Sequence, residues 1–239
     1  GEAVHEQAAK ALNAADAALA LAMKHRGAVS GAVRITAPTE LAAAWLPPLL
    51  KQFEAVYPDV AVELQADDSF LRLGGSLIDL AISAGYEIRA HSRLKTAALL
   101  PLALVATPEL LAGGPKRAAL AARIKRVGLV GRPGLRPDAA EVWALPAKQS
   151  RTSRVLKLPA SKRFSVDNQL VARELALAGL GAALLIEHTI EDALATGRLR
   201  HVDQHYTFGS VAIRIRRRDR YPSPAAQRLK QFLEQANPG

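Results

Sequence analysis

From Gly31 to Gly85 the apolar positions switch repeatedly between alternation and helical spacing. Val33 to Ala37 is a β-rich run closed by Pro38. From Thr39 the stripe Leu41, Trp45, Leu49, Phe53 and Val56 predicts an amphipathic helix. Tyr57-Pro58-Asp59 stops it, because proline lacks a donor and drives the preceding residue out of the α region. Val60 to Leu64 predicts a strand, and Phe70 to Leu77 a second helix. Leu80 to Ser83 predicts a third strand, ending at the turn residue Gly85. A β-α-β-α-β order predicts a parallel sheet, and such sheets bind ligands at the carboxyl ends of their strands. Here those ends carry Pro38, Thr39 and Glu40, and then Ser83 and Gly85.

Further along, Ala97 to Ala106 is an apolar run that reads as a strand crossing into a second subdomain. Thr107-Pro108 opens a short helix over 109–112, and Gly113-Gly114-Pro115 is a turn. A helix is predicted for Arg117 to Ile124 and a strand for Val127 to Val130. Glu141 to Leu145 and Arg163 to Val166 follow as strands, the latter leading to Asp167 as N-cap of a helix over Asn168 to Ala178. Gly179-Leu180-Gly181 closes that helix, Ala182 to Ile186 is a buried strand, and Thr189 to Thr196 is a helix with Gly197 as its C-cap. Val211, Ile213 and Ile215 alternate with Arg214 and Arg216, a half-buried strand with an arginine face. Ser223-Pro224-Ala225 begins the last helix, with Leu229, Phe232 and Leu233 inward.

Ahead of all this, residues 2–25 are alanine-rich and free of Pro and Gly. Val4, Ala8, Ala11, Ala15, Ala18 and Ala22 are spaced alternately by four and three, with Leu12, Leu19 and Met23 widening the stripe. That is a thin heptad seam, and it predicts a helix that pairs with a second subunit.

The run from VRITAP through PLLKQFEAVYPDVAVEL to LIDLAISAG resembles the start of the effector-binding domain of LysR-type transcriptional regulators. The specific part is F-x-x-x-Y-P-D-V followed by D-L-A-I-x-x-G in this order. The likeness recurs at PLALVATPELLAGG and at FSVDNQLVARELALAGLGAALLIEHTIEDALATGRL. It implies an α/β fold of two Rossmann-like subdomains of the periplasmic-binding-protein type II kind, preceded by a linker helix. On that reading residues 1–28 are the linker and dimerisation helix, 29–105 with 207–239 make subdomain I, and 106–206 make subdomain II. A small-molecule effector would sit in a cleft between the subdomains. Promoter DNA would be reached only through a helix-turn-helix module, a pattern this chain lacks, so the chain reads as a piece of a longer regulator. The resemblance also implies a homodimer or tetramer in the cytoplasm. Family members often carry an acidic turn before a Ser and an Arg-Leu, where this chain has His91-Ser92-Arg93-Leu94.

Composition narrows the alternatives. At 239 residues and 49% hydrophobic the chain buries a real core, and with 5% aromatics that core is mostly aliphatic. No cysteine means no disulfide, thiol nucleophile or thiolate metal site. No apolar run reaches the ~18 residues of a membrane span. The net charge of +10 is either a solvated basic surface or a steering field for DNA or an anionic effector. Arg214 to Arg220 has no interleaved aromatics to stack bases, which argues against a nucleic-acid patch.

Catalytic constellations are missing. Gly179-x-Gly181 follows a helix instead of opening one, so it is no phosphate loop. His201 and His205 form the one close histidine pair, and the adjacent acids Asp67-Asp68 and Glu191-Asp192 suit no two-carboxylate mechanism. No catalytic residue, metal or cofactor is expected. The candidate ligand-binding set is Pro38, Thr39, Glu40, Ser83 and Gly85, with Thr107, Phe164 and Ser165 from the second subdomain at positions matching the family's effector contacts. Thr39 and Glu40 open a helix whose free N–H groups favour an anionic or polar ligand group. Glu40 either complements the helix dipole or meets the ligand, and in the second case it favours an amine or hydroxyl. The rival reading is a periplasmic solute-binding protein of similar two-lobed fold, which has no use for a heptad helix.

Overall fold

The computed structural model describes residues 29–68, 78–87, 96–112, 120–130, 140–146, 154–158, 164–217 and 222–236. The expected helices over 2–25 and 70–77, and the loops at 89–95, 113–115 and 131–134, lie outside the described residues. The chain divides into two units: unit 1 comprises 1–84, 93–98 and 213–239, and unit 2 comprises 85–92 and 99–212.

Unit 1 opens with strand β1 (Gly31–Ala37), flanked by β2 (Val60–Ala66) and β3 (Leu80–Glu87), both parallel to it as the β-α-β pattern predicts. Register is pinned by polar pairs. Arg34 Nε donates to Glu63 on the facing strand at 2.8 Å, while Arg34 N–H donates to the Asp79 carboxylate at 2.7 Å and the Arg34 carbonyl accepts Asp79 N–H at 2.8 Å. The strand β11 (Ser210–Arg217) follows β3 in the order β2-β1-β3-β11 and joins unit 1 from Ile213 onward.

The helix predicted from Thr39 is present but not uniform. Residues Leu41–Trp45 form a π-helical turn, closed by Leu46 N–H on the Leu41 carbonyl, and α1 (Leu46–Val56) continues from it. Pro47 and Pro48 have no N–H to give the carbonyls four residues back, and their rings crowd those carbonyls, so the ladder widens just ahead of them. The inserted residue brings Leu46 into the buried face beside Leu41, Trp45, Leu49 and Phe53. Val56, expected on that face, is 59% exposed at the helix's last turn. Tyr57 caps α1 and its ring lies 4.9 Å from Phe53. The final helix, Pro224–Gln235, is capped by Ser223 Oγ accepting Ala226 N–H at 3.1 Å. It buries Leu229 and Leu233 and sets Phe232 edge-on to Phe53 at 5.5 Å.

Unit 2 is built on β4 (Ala98–Ala106), which belongs to it from Leu99. Antiparallel β8 (Ala182–Ile186) lies beside β4, β5 (Leu129–Val130) pairs parallel with β8, and β9 (Arg200–His201) pairs with the end of β4. A separate antiparallel sheet joins β6 (Ala140–Pro146) to β7 (Arg154–Leu158) and to β10 (Tyr206–Thr207). The strand β7 falls between the two strands expected at Glu141 to Leu145 and Arg163 to Val166, where the sequence pattern predicted none. α2 (Pro108–Leu111) follows β4, and α3 (Leu120–Val127) ends three residues beyond the Ile124 that its apolar pattern suggested, the expected start at 117–119 lying outside the described residues. Val127 is therefore helical, and β5 shrinks to two residues.

Arg163 to Val166 is not a strand either: among its described residues Ser165 makes a single bridge. The helix α4 (Gln169–Leu177) is capped by Asn168, whose Oδ1 accepts Val171 N–H at 3.0 Å, and not by the expected Asp167. After β8 comes a 3-10 turn (Glu187–Ile190) and then α5 (Glu191–Ala195). The core of unit 2 is alanine-rich. Ala172 and Ala176 of α4 pack with Ala103, Val105, Ala183, Leu185, Ile190, Ala193 and Leu199, small side chains that let a helix approach the sheet closely.

Candidate functional site

The parallel register of β1 and β2 sets Ala37 level with Ala66, so the two chains leave the sheet side by side. Asp67 N–H extends the ladder onto the Ala37 carbonyl at 2.9 Å. Asp68 then turns its carboxylate back on the start of the helix: Thr39 N–H donates to Oδ1 at 2.8 Å and Thr39 Oγ1 donates to Oδ2 at 3.0 Å. Leu41 and Ala42 N–H both donate to the Pro38 carbonyl, at 3.0 and 2.9 Å. The donors that the sequence left free for a ligand at Thr39, Leu41 and Ala42 are therefore already used within unit 1. Pro38 is buried, and Glu40, the acidic residue that follows Thr39, is 8% exposed.

Ser83 is 8% exposed and its Oγ donates to the Arg214 carbonyl at 3.3 Å, a tie from β3 to β11. Gly85 is not a turn residue, because β3 runs on through Glu87. It is also the first residue of unit 2.

In unit 2, Thr107 precedes α2 with its side chain buried and forming no cap. Its neighbour is the Gly179 turn, where a methyl added at Gly179 would lie 3.8 Å from Thr107 Oγ1. Phe164 is half-buried and Ser165 exposed, both just ahead of α4. The structure thus brings Pro38, Thr39 and Glu40 together in one unit and Thr107, Phe164 and Ser165 into the other.

Two groups escaped the reading of the sequence. Asp68 was legible only as half of an acidic pair, and its part depends on β2 ending beside β1. The second group centres on Asp192, which accepts Arg173 Nη2 on both oxygens, at 3.0 and 2.9 Å, and Arg198 Nη2 at 2.6 Å. Partial burial works to raise the Asp192 pKa, but hydrogen bonding and charge from Arg173, the Ala193 N–H and Arg198 outweigh it and hold it below the usual carboxylate value. Burial likewise opposes the Arg173 charge, and Asp192 and Glu174 overcome it and raise that pKa. Both belong to a network that binds α4 to α5. The Trp45 indole N–H is buried with no acceptor among the described residues.

His205 is exposed and bonds Asp203 at 2.9 Å, while His201 Nε2 stands 3.8 Å from Glu187. Among the described residues no three His, Asp or Glu side chains come close enough to hold a metal ion. Nor is any helix there long and apolar enough to cross a membrane.

Comparison with known proteins agrees with this architecture. Residues 26–238 match the model of the LysR substrate binding domain. The chain is 28% identical over 201 residues to the HTH-type transcriptional regulator PtxR of Pseudomonas aeruginosa, covering 83% of this chain and 62% of that one. The chain thus spans about three fifths of this relative's length. Among solved structures, full-length AphB of Vibrio cholerae superposes with a TM-score of 0.68 at 19% identity, over 90% of this chain and 73% of that one. The effector domain of AmpR of Pseudomonas aeruginosa gives 0.65 at 21% identity, over 86% and 94%. These likenesses show the fold, the α/β periplasmic-binding-protein type II kind that the motifs implied.

Proposed function

The chain belongs to the LysR substrate binding domain family, and on that premise we propose that it is the effector-sensing part of a longer HTH-type transcriptional regulator. The observation that carries the reading is the family match over residues 26–238, which takes in both units. The family is that of a regulator's ligand domain and not of an enzyme. The proposed contacts to a small-molecule effector are Pro38, Thr39, Glu40 and Ser83 in unit 1, and Gly85, Thr107, Phe164 and Ser165 in unit 2.

An effector can switch a regulator only by binding one of its arrangements more tightly than the other. In the proposed scheme the two arrangements differ in how the subunits of a homodimer or tetramer present their DNA-binding modules to a promoter. Residues 2–25 would pair the subunits. The reading is tested by a thermal-shift screen of small carboxylates, amines and aromatics. A true effector at a hundredfold excess over its Kd should stabilise the protein by about 2.7 kcal/mol. Sedimentation supplies the second check, since a monomer at all concentrations would contradict the paired helix.

A further inference from the structure

We propose that Asp68 sets the chemical class of the effector: it holds both donors of Thr39, so the ligand group received at Thr39 is neutral or cationic and not a carboxylate. This rests on the effector-domain reading above and adds the identity of the group that can enter one part of it.

The geometry is confined to unit 1 and follows from strand register. With Ala37 level with Ala66, the residues that leave β2 run alongside those that leave β1. The Asp67 N–H bond to Ala37, at 2.9 Å, fixes the path of the departing chain. Asp68 then meets Thr39 with both carboxylate oxygens, at 2.8 and 3.0 Å. Hydrogen bonds of this charge-assisted kind are about twice as strong as neutral ones. An effector carboxylate seeking the Thr39 amide and hydroxyl finds an internal carboxylate already there. To enter, it must displace Asp68 and gain only bonds of the kind it breaks, with the displaced carboxylate still tethered beside it by the end of β2. Like charges brought together in that way discriminate against the incoming anion. An ammonium, a hydroxyl or an uncharged ring meets no such competition. The departure from a free helix N-terminus is thus a selectivity device, produced by one acidic residue that follows β2.

The test uses acetate as the probe. Isotope-labelled wild-type protein and the Asp68→Ala variant are titrated with sodium acetate at constant ionic strength, and the Thr39 amide resonance is followed. Asp68→Ser is run beside them, so that a poorly folding alanine variant does not decide the outcome. The expected result is no shift of Thr39 in the wild type and a saturable shift in the variants. A saturable shift in the wild type would overturn the proposal, because Asp68 would then not exclude anions. Variants as indifferent as the wild type would overturn it too, because the contact would then be a loop tether only. Failure of the effector reading looks different: no compound stabilises the wild type, while the acetate contrast between the proteins persists.

Discussion

The Asp192 network makes a prediction whose sign and size both follow from the structure. Asp192→Asn keeps the shape of the side chain and removes the charge that holds Arg173 and Arg198. The Asp192 side chain is 54% exposed and that of Arg198 52%, so water screens this pair heavily. Arg173 is only 20% exposed and contacts both carboxylate oxygens, so its pair is the stronger. Exposed pairs contribute about 0.2–1 kcal/mol each, which sets the loss at about 1 kcal/mol. With a urea dependence of about 2 kcal/mol per molar, the midpoint should fall by about 0.5 M near neutral pH. The folded pKa of Asp192 lies below its unfolded value, mainly because Arg173 overcomes the effect of burial. Its stabilisation is therefore fully present above the unfolded value of about 3.9 and disappears as pH falls through the lowered folded pKa. Urea titrations of wild type and variant should converge as the solution is acidified. A gap that stays constant into acid would refute the reasoning, since it would mean that packing, and not ionisation, carries the effect.

Phe53→Ala should cost about 3–5 kcal/mol in chemical denaturation, because Phe53 is 1% exposed and touches both Tyr57 and Phe232. A double-mutant cycle with Phe232→Ala should return a coupling of about 1 kcal/mol. Asn168→Ala should cost about 1 kcal/mol, with Asp167→Ala close to neutral, because Asn168 supplies the α4 cap. Equal effects at the two positions would contradict that assignment. Gly179→Ala should destabilise by about 1 kcal/mol through backbone strain at φ +73°, since the added methyl meets Thr107 only at ordinary contact distance. Ser165→Trp, at an exposed position, should abolish any effector-induced thermal shift without lowering the melting temperature of the free protein. A variant that responds normally would move the site elsewhere.

Much of the architecture was legible in the order of residues. Alternation and helical spacing placed β1, β2, β4, β8, β11 and the last helix, because burying one face of a strand or helix leaves a period that needs no neighbour to be read. The motif pair around Tyr57-Pro58-Asp59 and Asp79 to Gly85 pointed to the family that the match over residues 26–238 shows. Where the reading slipped, neighbours were responsible. Gly85 looks like punctuation, yet the pairing of β3 carries the strand through it. Asp167 is as good a cap in isolation as Asn168, and the backbone path into α4 chose between them. The prolines at 47 and 48 were visible, but the π turn they force appears only once the helix has a ladder to distort.

The chain's own pattern therefore determined the fold class, the family and the longer elements, since these depend on periodicity and on motifs within a few tens of residues. Tertiary structure alone decided that Asp68 meets Thr39, 29 positions away, and that Arg173 and Arg198 share Asp192. Hydrogen bonds and charge pairs act over a few ångströms, and which residues come that close depends on strand register and helix packing.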